Sequence, residues 1–127
     1  MTAPQLIREY EVRARSTDVF GRVLCNARDH HFIIDGPVQN GCPGEEVTPP
    51  EAYLAGVAAC GVELLHVIAK ADGVPLGHVA ATLNATVDRG NQPRTDFTIF
   101  NSVRLRFVLS GTDAARAASL VEGFKRR

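Results

Sequence analysis

Apolar and polar residues alternate along the chain, run together, and alternate again, and that rhythm sorts the sequence into elements. Tyr10, Val12 and Ala14 interleave with Glu11, Arg13 and Arg15, the period-two pattern of a half-exposed strand. Ser16-Thr17-Asp18 is turn chemistry, and Val19 to Ala27 resumes the alternation with Val23 and Cys25 on one parity. Asn26 to His30 is polar, and Phe32-Ile33-Ile34 is a short apolar strand, so a three-stranded antiparallel meander is expected after a loose terminus at residues 1–7. Further on, Val79, Ala81, Leu83, Ala85 and Val87 alternate with His78, Thr82, Asn84, Thr86 and Asp88. Phe97 to Leu109 alternates again, with Ile99, Val103, Leu105 and Phe107 expected to face inward. The two runs predict an antiparallel hairpin with one wet face. Ser110-Gly111-Thr112-Asp113 then caps a second helix, whose Ala117, Leu120, Val121 and Phe124 form one apolar stripe. Its cationic end, Lys125-Arg126-Arg127, suits a helix C-terminus.

Between meander and hairpin lies the longest apolar run, Thr48 to Gly73, and it carries its own boundaries. Thr48, Pro49 and Glu51 form a capping box in which hydroxyl and carboxylate can each satisfy an orphan backbone N–H. Gly73 followed by Pro75 is the matching stop. Apolar or small residues fill nearly every position from Ala52 to Gly61, so this helix is expected to be buried on all sides. One sheet and a short second helix would cover one side only, unless long loops finish the cover within a monomer. Ala52, Ala55, Gly56, Ala58, Ala59 and Gly61 would let another backbone approach closely, which points to a second subunit around a two-fold axis. Asp35 to Val47 is a Gly/Pro-rich loop leading into the helix, readable as the lining of a site entrance or as a surface excursion.

The element order is that of an α+β fold: antiparallel β-meander, long buried central helix, β-hairpin and second amphipathic helix, in a single domain over residues 1–127. Fourteen basic residues balance fourteen acidic ones with no basic stripe, and only 6% of residues are aromatic. Neither the electrostatic nor the stacking footprint of nucleic-acid binding is present. Glu63, His66 and Lys70 interrupt the apolar run, so a membrane span is not expected, and MTAPQLIREYEV lacks signal-peptide organisation. Three cysteines, Cys25, Cys42 and Cys60, with no CxxC pair, fit a reducing cytoplasm better than a disulfide framework or a zinc knuckle.

Cys60 stands in the middle of the central helix and has two readings. Free cysteine packs as a small hydrophobe. A reactive thiol instead needs an electropositive, accessible setting, and Glu63 one turn later would oppose a thiolate. Activation therefore calls for an arginine from elsewhere in the fold. His30, His31, His66 and His78 lack metal-ligand spacing and His66 does not share the face of Cys60, so no metal is assigned. Asp88 and Asp96 read as turn residues, and Gly36, Gly41 and Gly44 as loop glycines, not a phosphate cradle.

The run P-P-E-x-x-L-A-x-x-A-A-C at Pro49 to Cys60 resembles the helix of the OsmC/Ohr family of thiol-dependent hydroperoxide reductases. The resemblance extends to the lead-in GCPGEEVTPPE, the helix ending A-D-G-V-P-L, the strand VAATLNATVD and the helix D-A-A-R-A-A-S-L-V-E. It implies an OsmC-like intertwined homodimer with active sites at the subunit interface and with Cys60 as the peroxidatic nucleophile. The implied chemistry is reduction of organic or fatty-acid hydroperoxides through a sulfenic acid, resolved by a second cysteine and reopened by an external dithiol, with no cofactor. An arginine from the first strands, held by a helix glutamate, would lower the thiol pKa.

Three positions depart from the family pattern. The resolving cysteine belongs to a Cys-Pro motif after the last helix, and no such motif stands in residues 1–127: it lies beyond Arg127, is absent, or is replaced by Cys25 or Cys42, neither of which the sequence positions. The charge-pairing glutamate of the best-understood branch lies ten residues before the cysteine, where Pro50 stands here. Glu51, at nine before, is either that glutamate or simply the capping residue. Arg15 and Arg22, flanking the first turn, are the candidate activating arginines. The expectation is a cysteine-dependent hydroperoxide reductase built on Cys60, Glu51, Arg15 and Arg22. The alternatives are a non-catalytic dimer binding an apolar small molecule or a partner in the same cleft, and a thiol enzyme of another reaction type.

Overall fold

The computed structural model describes residues 6–126, so the expected loose terminus lies largely outside the described residues. The elements follow the expected order: β1 (Arg13–Ser16), β2 (Arg22–Ala27), β3 (His30–Asp35), a short 3-10 turn (Val38–Asn40), α1 (Pro49–Asp72), β4 (Val79–Thr86), β5 (Ser102–Leu109) and α2 (Ala114–Lys125). They divide into two compact units, Met1–Tyr53 and Leu54–Arg127, with the boundary inside α1.

The first unit is the antiparallel meander β1-β2-β3 and the loop that follows it. Two boundaries differ from the sequence reading. β2 begins at Arg22, not Val19, because Thr17 closes a turn over residues 17–22. Its amide and hydroxyl both donate to the Arg22 carbonyl, at 3.2 and 3.0 Å, and Gly21 takes a left-handed φ of 79°. The polar stretch Asn26–His30 is not a loop: only Arg28 and Asp29 turn, with Arg28 at φ 53°, and the remaining polar residues are strand positions with wet faces.

The second unit holds the hydrophobic core. Leu65, Ile68 and Ala69 of α1 and Leu120 of α2 are buried together, flanked by Val79, Phe107, Leu109, Val121 and Phe124. The stripe expected on α2 therefore packs where its periodicity places it, and Asp113 caps the helix by accepting from the Arg116 N–H at 2.8 Å. Along β4 burial alternates in step with the sequence pattern. The strand β5 starts at Ser102, five residues after the expected Phe97, because side-chain amides replace ladder bonds in the connection. Gln92 Oε1 accepts from the Ile99 N–H at 2.8 Å, and Asn101 Oδ1 accepts from the Asp88 N–H at 2.6 Å. Val103, expected inward, is exposed, because the core lies towards the Leu105–Leu109 end of the hairpin.

Helix α1 obeys its boundary signals, and one chain covers only one of its sides. Glu51 Oε1 accepts from the Thr48 N–H at 2.9 Å, as the capping box requires, but the Thr48 hydroxyl donates to the same oxygen at 2.7 Å. At the other end Gly73 turns left-handed at φ 66°. By length and composition α1 is able to cross a membrane, yet Leu65, Ile68 and Ala69 seat it in a protein core. Within one chain the helix is covered on one side only, which leaves its burial on all sides to the second subunit that the sequence reading calls for. Gly61, Leu65, Ile68 and Ala69 are buried, whereas Tyr53 is 66% exposed, and Gly56, Ala59 and Cys60 are open. The hairpin and α2 cover one side of the helix, and among the described residues of the unit no second layer covers the other.

Candidate functional site

Cys60 is a free thiol on the exposed side of α1. Its neighbour Gly61 points into the core, where a Cβ would meet the Phe107 ring at 2.7 Å and the Phe124 ring at 3.4 Å. Those rings pack edge to face, with centroids 5.6 Å apart and an interplanar angle of 87°. A 100° step around the helix thus carries the chain from a sealed aromatic contact at Gly61 to an open thiol at Cys60. The open side continues along Gly56, Ala59 and Glu63, a shallow face of small residues with one carboxylate.

The other three expected site residues lie in the first unit. Arg15 is exposed on β1 and makes no salt bridge or hydrogen bond among the described residues. Arg22, on β2, is held as a fork: Nε donates to Asp35 Oδ1 at 2.8 Å and Nη2 to Asp35 Oδ2 at 2.9 Å. Glu51 is occupied by both donors of Thr48, which hold its carboxyl below the usual glutamate value. The arginine–glutamate pair of the resemblance is therefore not formed between Arg22 and Glu51; a strand aspartate holds Arg22 instead.

Asp35 was not singled out in the sequence, and it is the centre of the first unit. Its side chain is 0% exposed and accepts four hydrogen bonds: two from Arg22 and one each from the Glu45 and Glu46 N–H groups, both at 3.0 Å. Its own N–H donates to the Val47 carbonyl at 3.0 Å. The Arg22 hydrogen bond, followed by the two backbone N–H groups, outweighs burial and holds the carboxyl well below the usual aspartate range. Arg22 is correspondingly raised above its ordinary value, chiefly by the same bond, with Glu45 Oε1 a further 3.6 Å neighbour. The signal in the sequence was an acid directly after an apolar strand and before Gly36-Pro37. The partner became identifiable only with the register Arg22↔Asp35.

This carboxylate makes the 36–47 loop a folded structure. Gly36 N–H donates to the Gly21 carbonyl at 2.8 Å, and the Cys42 sulfur packs where a Cβ on either Gly21 or Gly36 would stand. Cys42 is thus half-buried under two glycines, and Cys25 is 5% exposed on β2. Asp88 and Asp96 keep their turn roles: Asp88 accepts from the Gly90 N–H at 2.9 Å, and Asp96 takes the Arg94 guanidinium at 2.8 and 2.7 Å.

With these features in place, comparison with known proteins is informative. The family model described as OsmC-like protein matches residues 42–127, which include all of α1, the hairpin and α2. The sequence has no match among curated proteins. In structure, the chain is similar to an OsmC-like protein from Mycoplasma pneumoniae, with a TM-score of 0.80 and 13% identity over 94% of this chain and 82% of the other. It is similar to the organic hydroperoxide resistance protein OsmC of Legionella pneumophila, with a TM-score of 0.75 and 18% identity over 96% and 85%. An organic hydroperoxide resistance protein from Elizabethkingia anophelis, with thiocyanate bound, aligns at a TM-score of 0.74 and 17% identity over 97% and 85%. At these identities the structures establish a shared fold.

Proposed function

The chain belongs to the OsmC-like protein family, and from that premise we propose that it reduces organic hydroperoxides with Cys60 as the nucleophile. The observation that carries this reading is the exposed Cys60 thiol on a face of α1 lined by small residues. A core cysteine acting only as a small hydrophobe would instead sit with Leu65 and Ile68. The Cys60 thiolate attacks the terminal peroxide oxygen, the O–O bond breaks, and the alkoxide leaves and is protonated to the alcohol. Sulfur is oxidised by two electrons to the sulfenic acid. A thiol then condenses with it, releasing water and forming a disulfide. An external dithiol reopens that disulfide and is itself oxidised to a cyclic disulfide.

Arg22 is the proposed source of the charge that favours the thiolate, and Asp35 is its holder. A guanidinium locked in a fork presents its remaining donors in a fixed direction at little entropic cost. Arg15 is the second candidate. The open side of α1 is proposed to be covered by a second copy of the chain, which would enclose Cys60 in the apolar surroundings that suit a hydroperoxide tail. The cytoplasm is the proposed compartment.

One observation favours a second reading, a non-catalytic dimer that binds an apolar molecule in the same cleft. Glu51 is spent on its cap, and Arg22 is neutralised by Asp35 with Glu45 beside it. Turnover separates the two. The purified protein with cumene hydroperoxide and dithiothreitol is expected to consume peroxide, and Cys60→Ser to abolish that consumption. Equal rates in both proteins, or none in either, would reject the peroxidase reading.

A further inference from the structure

The meander carries a second chemical feature, of which the thiol chemistry claims at most Arg15. Cross-strand partners share a sheet face, and so do residues two apart on a strand. The register Arg13↔Asn26↔His31 and Arg15↔Leu24↔Ile33 therefore places Arg13, Arg15, Asn26 and His31 on one face. They line a hollow of about 360 Å³ together with Leu24 and Ala14. A neighbouring hollow shares Arg13 and Asn26 and adds Arg28 and Glu11.

Charge on this face is poorly compensated. At the far end of the same face Arg22 is matched by Asp35, and in the second unit Arg94, Arg116 and Lys125 each have an acidic partner. Arg15 and Arg28 have no salt bridge among the described residues. Arg13 has one, to Glu11 at 2.9 Å, and both side chains of that pair are 74% exposed. Glu11 already sets a carboxylate oxygen against the Arg13 Nε, so this surface accepts an oxyanion in the molecule's own structure. An exposed pair of this kind is weak and readily displaced by a ligand that engages several donors at once.

We propose that the Arg13, Arg15, Asn26 and His31 face of the meander binds the phosphate group of a small, soluble phosphate monoester. Two guanidinium forks, a carboxamide and an imidazole N–H match the acceptor oxygens of a phosphate better than the single edge of a carboxylate. Leu24 offers an apolar contact to the organic part, and the hollow has room for more than the phosphate alone. The site shares Arg15 with the second candidate for activating Cys60, while Arg13, Asn26 and His31 stand outside that reading.

The test is a titration of the full chain with glycerol phosphate at constant ionic strength, followed by amide NMR, with inorganic phosphate and anionic phospholipid vesicles as parallel arms. Saturable shifts centred on Arg13, Arg15, Asn26 and His31 are expected. Arg15→Gln and His31→Gln should each weaken binding roughly tenfold, the loss typical of one charged hydrogen bond. Arg104→Gln, an exposed strand position of the other unit, should leave it unchanged. Because Arg15 and His31 are exposed, neither substitution removes core packing. Shifts that grow linearly without saturation, or saturable binding that survives both substitutions, would overturn the proposal. So would binding to vesicles alone, which would assign the face to a lipid surface.

Discussion

Two glycines of one helix, five residues apart, live in opposite surroundings. A Cβ at Gly61 would collide with Phe107 and touch Phe124, while a Cβ at Gly56 would meet nothing within 4 Å. Gly61 is small because the chain's own aromatic pair needs the space. Gly56 has no such reason inside the chain, and glycine in a helix interior costs roughly 0.5–1 kcal/mol relative to alanine. A helix that carries that cost on an exposed face, beside Ala59 and Cys60, suits the proposed cover by a second copy. The contrast separates the part of α1 that holds this fold together from the part proposed to meet a second copy and a substrate.

Substitutions can break or sharpen that contrast. The largest effect is expected at the core side: Leu65→Ala, at a fully buried side chain, should cost about 2–5 kcal/mol in denaturant unfolding. Gly61→Val should follow, at roughly 1–3 kcal/mol, because the Phe107 ring must shift to admit the new methyl groups. Gly56→Val should leave the far-UV circular dichroism intact while reducing the mass measured by light scattering. If it unfolds the protein as Gly61→Val does, the two faces are not different in kind.

A further prediction concerns the first unit, which is organised by a carboxylate where the second is organised by apolar packing. The folded pKa of Asp35 lies below its unfolded value of about 3.9, so between the two the unfolded state binds more protons. Its contribution is complete above the unfolded pKa and is lost as pH falls through the folded one. Wild-type stability should therefore decline on acidification below roughly pH 4, and Asp35→Asn should be less stable at neutral pH with a flatter acid limb. An unchanged acid limb in Asp35→Asn would remove Asp35 from the account. The smallest effect is expected at the helix start, where Thr48→Ala should cost about 1 kcal/mol.

The sequence made the apolar scaffold legible because it is written in local periodicities. The α1 caps, the alternation of β4 and the Leu120–Phe124 stripe are all contained within single elements. What escaped depends on register or on counting covers. Arg22 and Asp35 are thirteen residues apart and meet only once β2 and β3 pair, so an acid that anchors the unit looked like loop composition. Glu51 looked like two things at once, and its bonds to Thr48 supply the capping role. Which side of α1 its own chain covers was not legible, because composition records how apolar a helix is and not where the layers over it lie.

The central claim is that the exposed side of α1 carries a redox-active thiol. Its most direct test is mass spectrometry of the protein treated with one equivalent of cumene hydroperoxide in the presence of dimedone. The account predicts a dimedone adduct on Cys60, with Cys25 and Cys42 unlabelled in their packed positions. A protein left unlabelled at Cys60 while an added peroxide-reactive thiol control is fully labelled would contradict it.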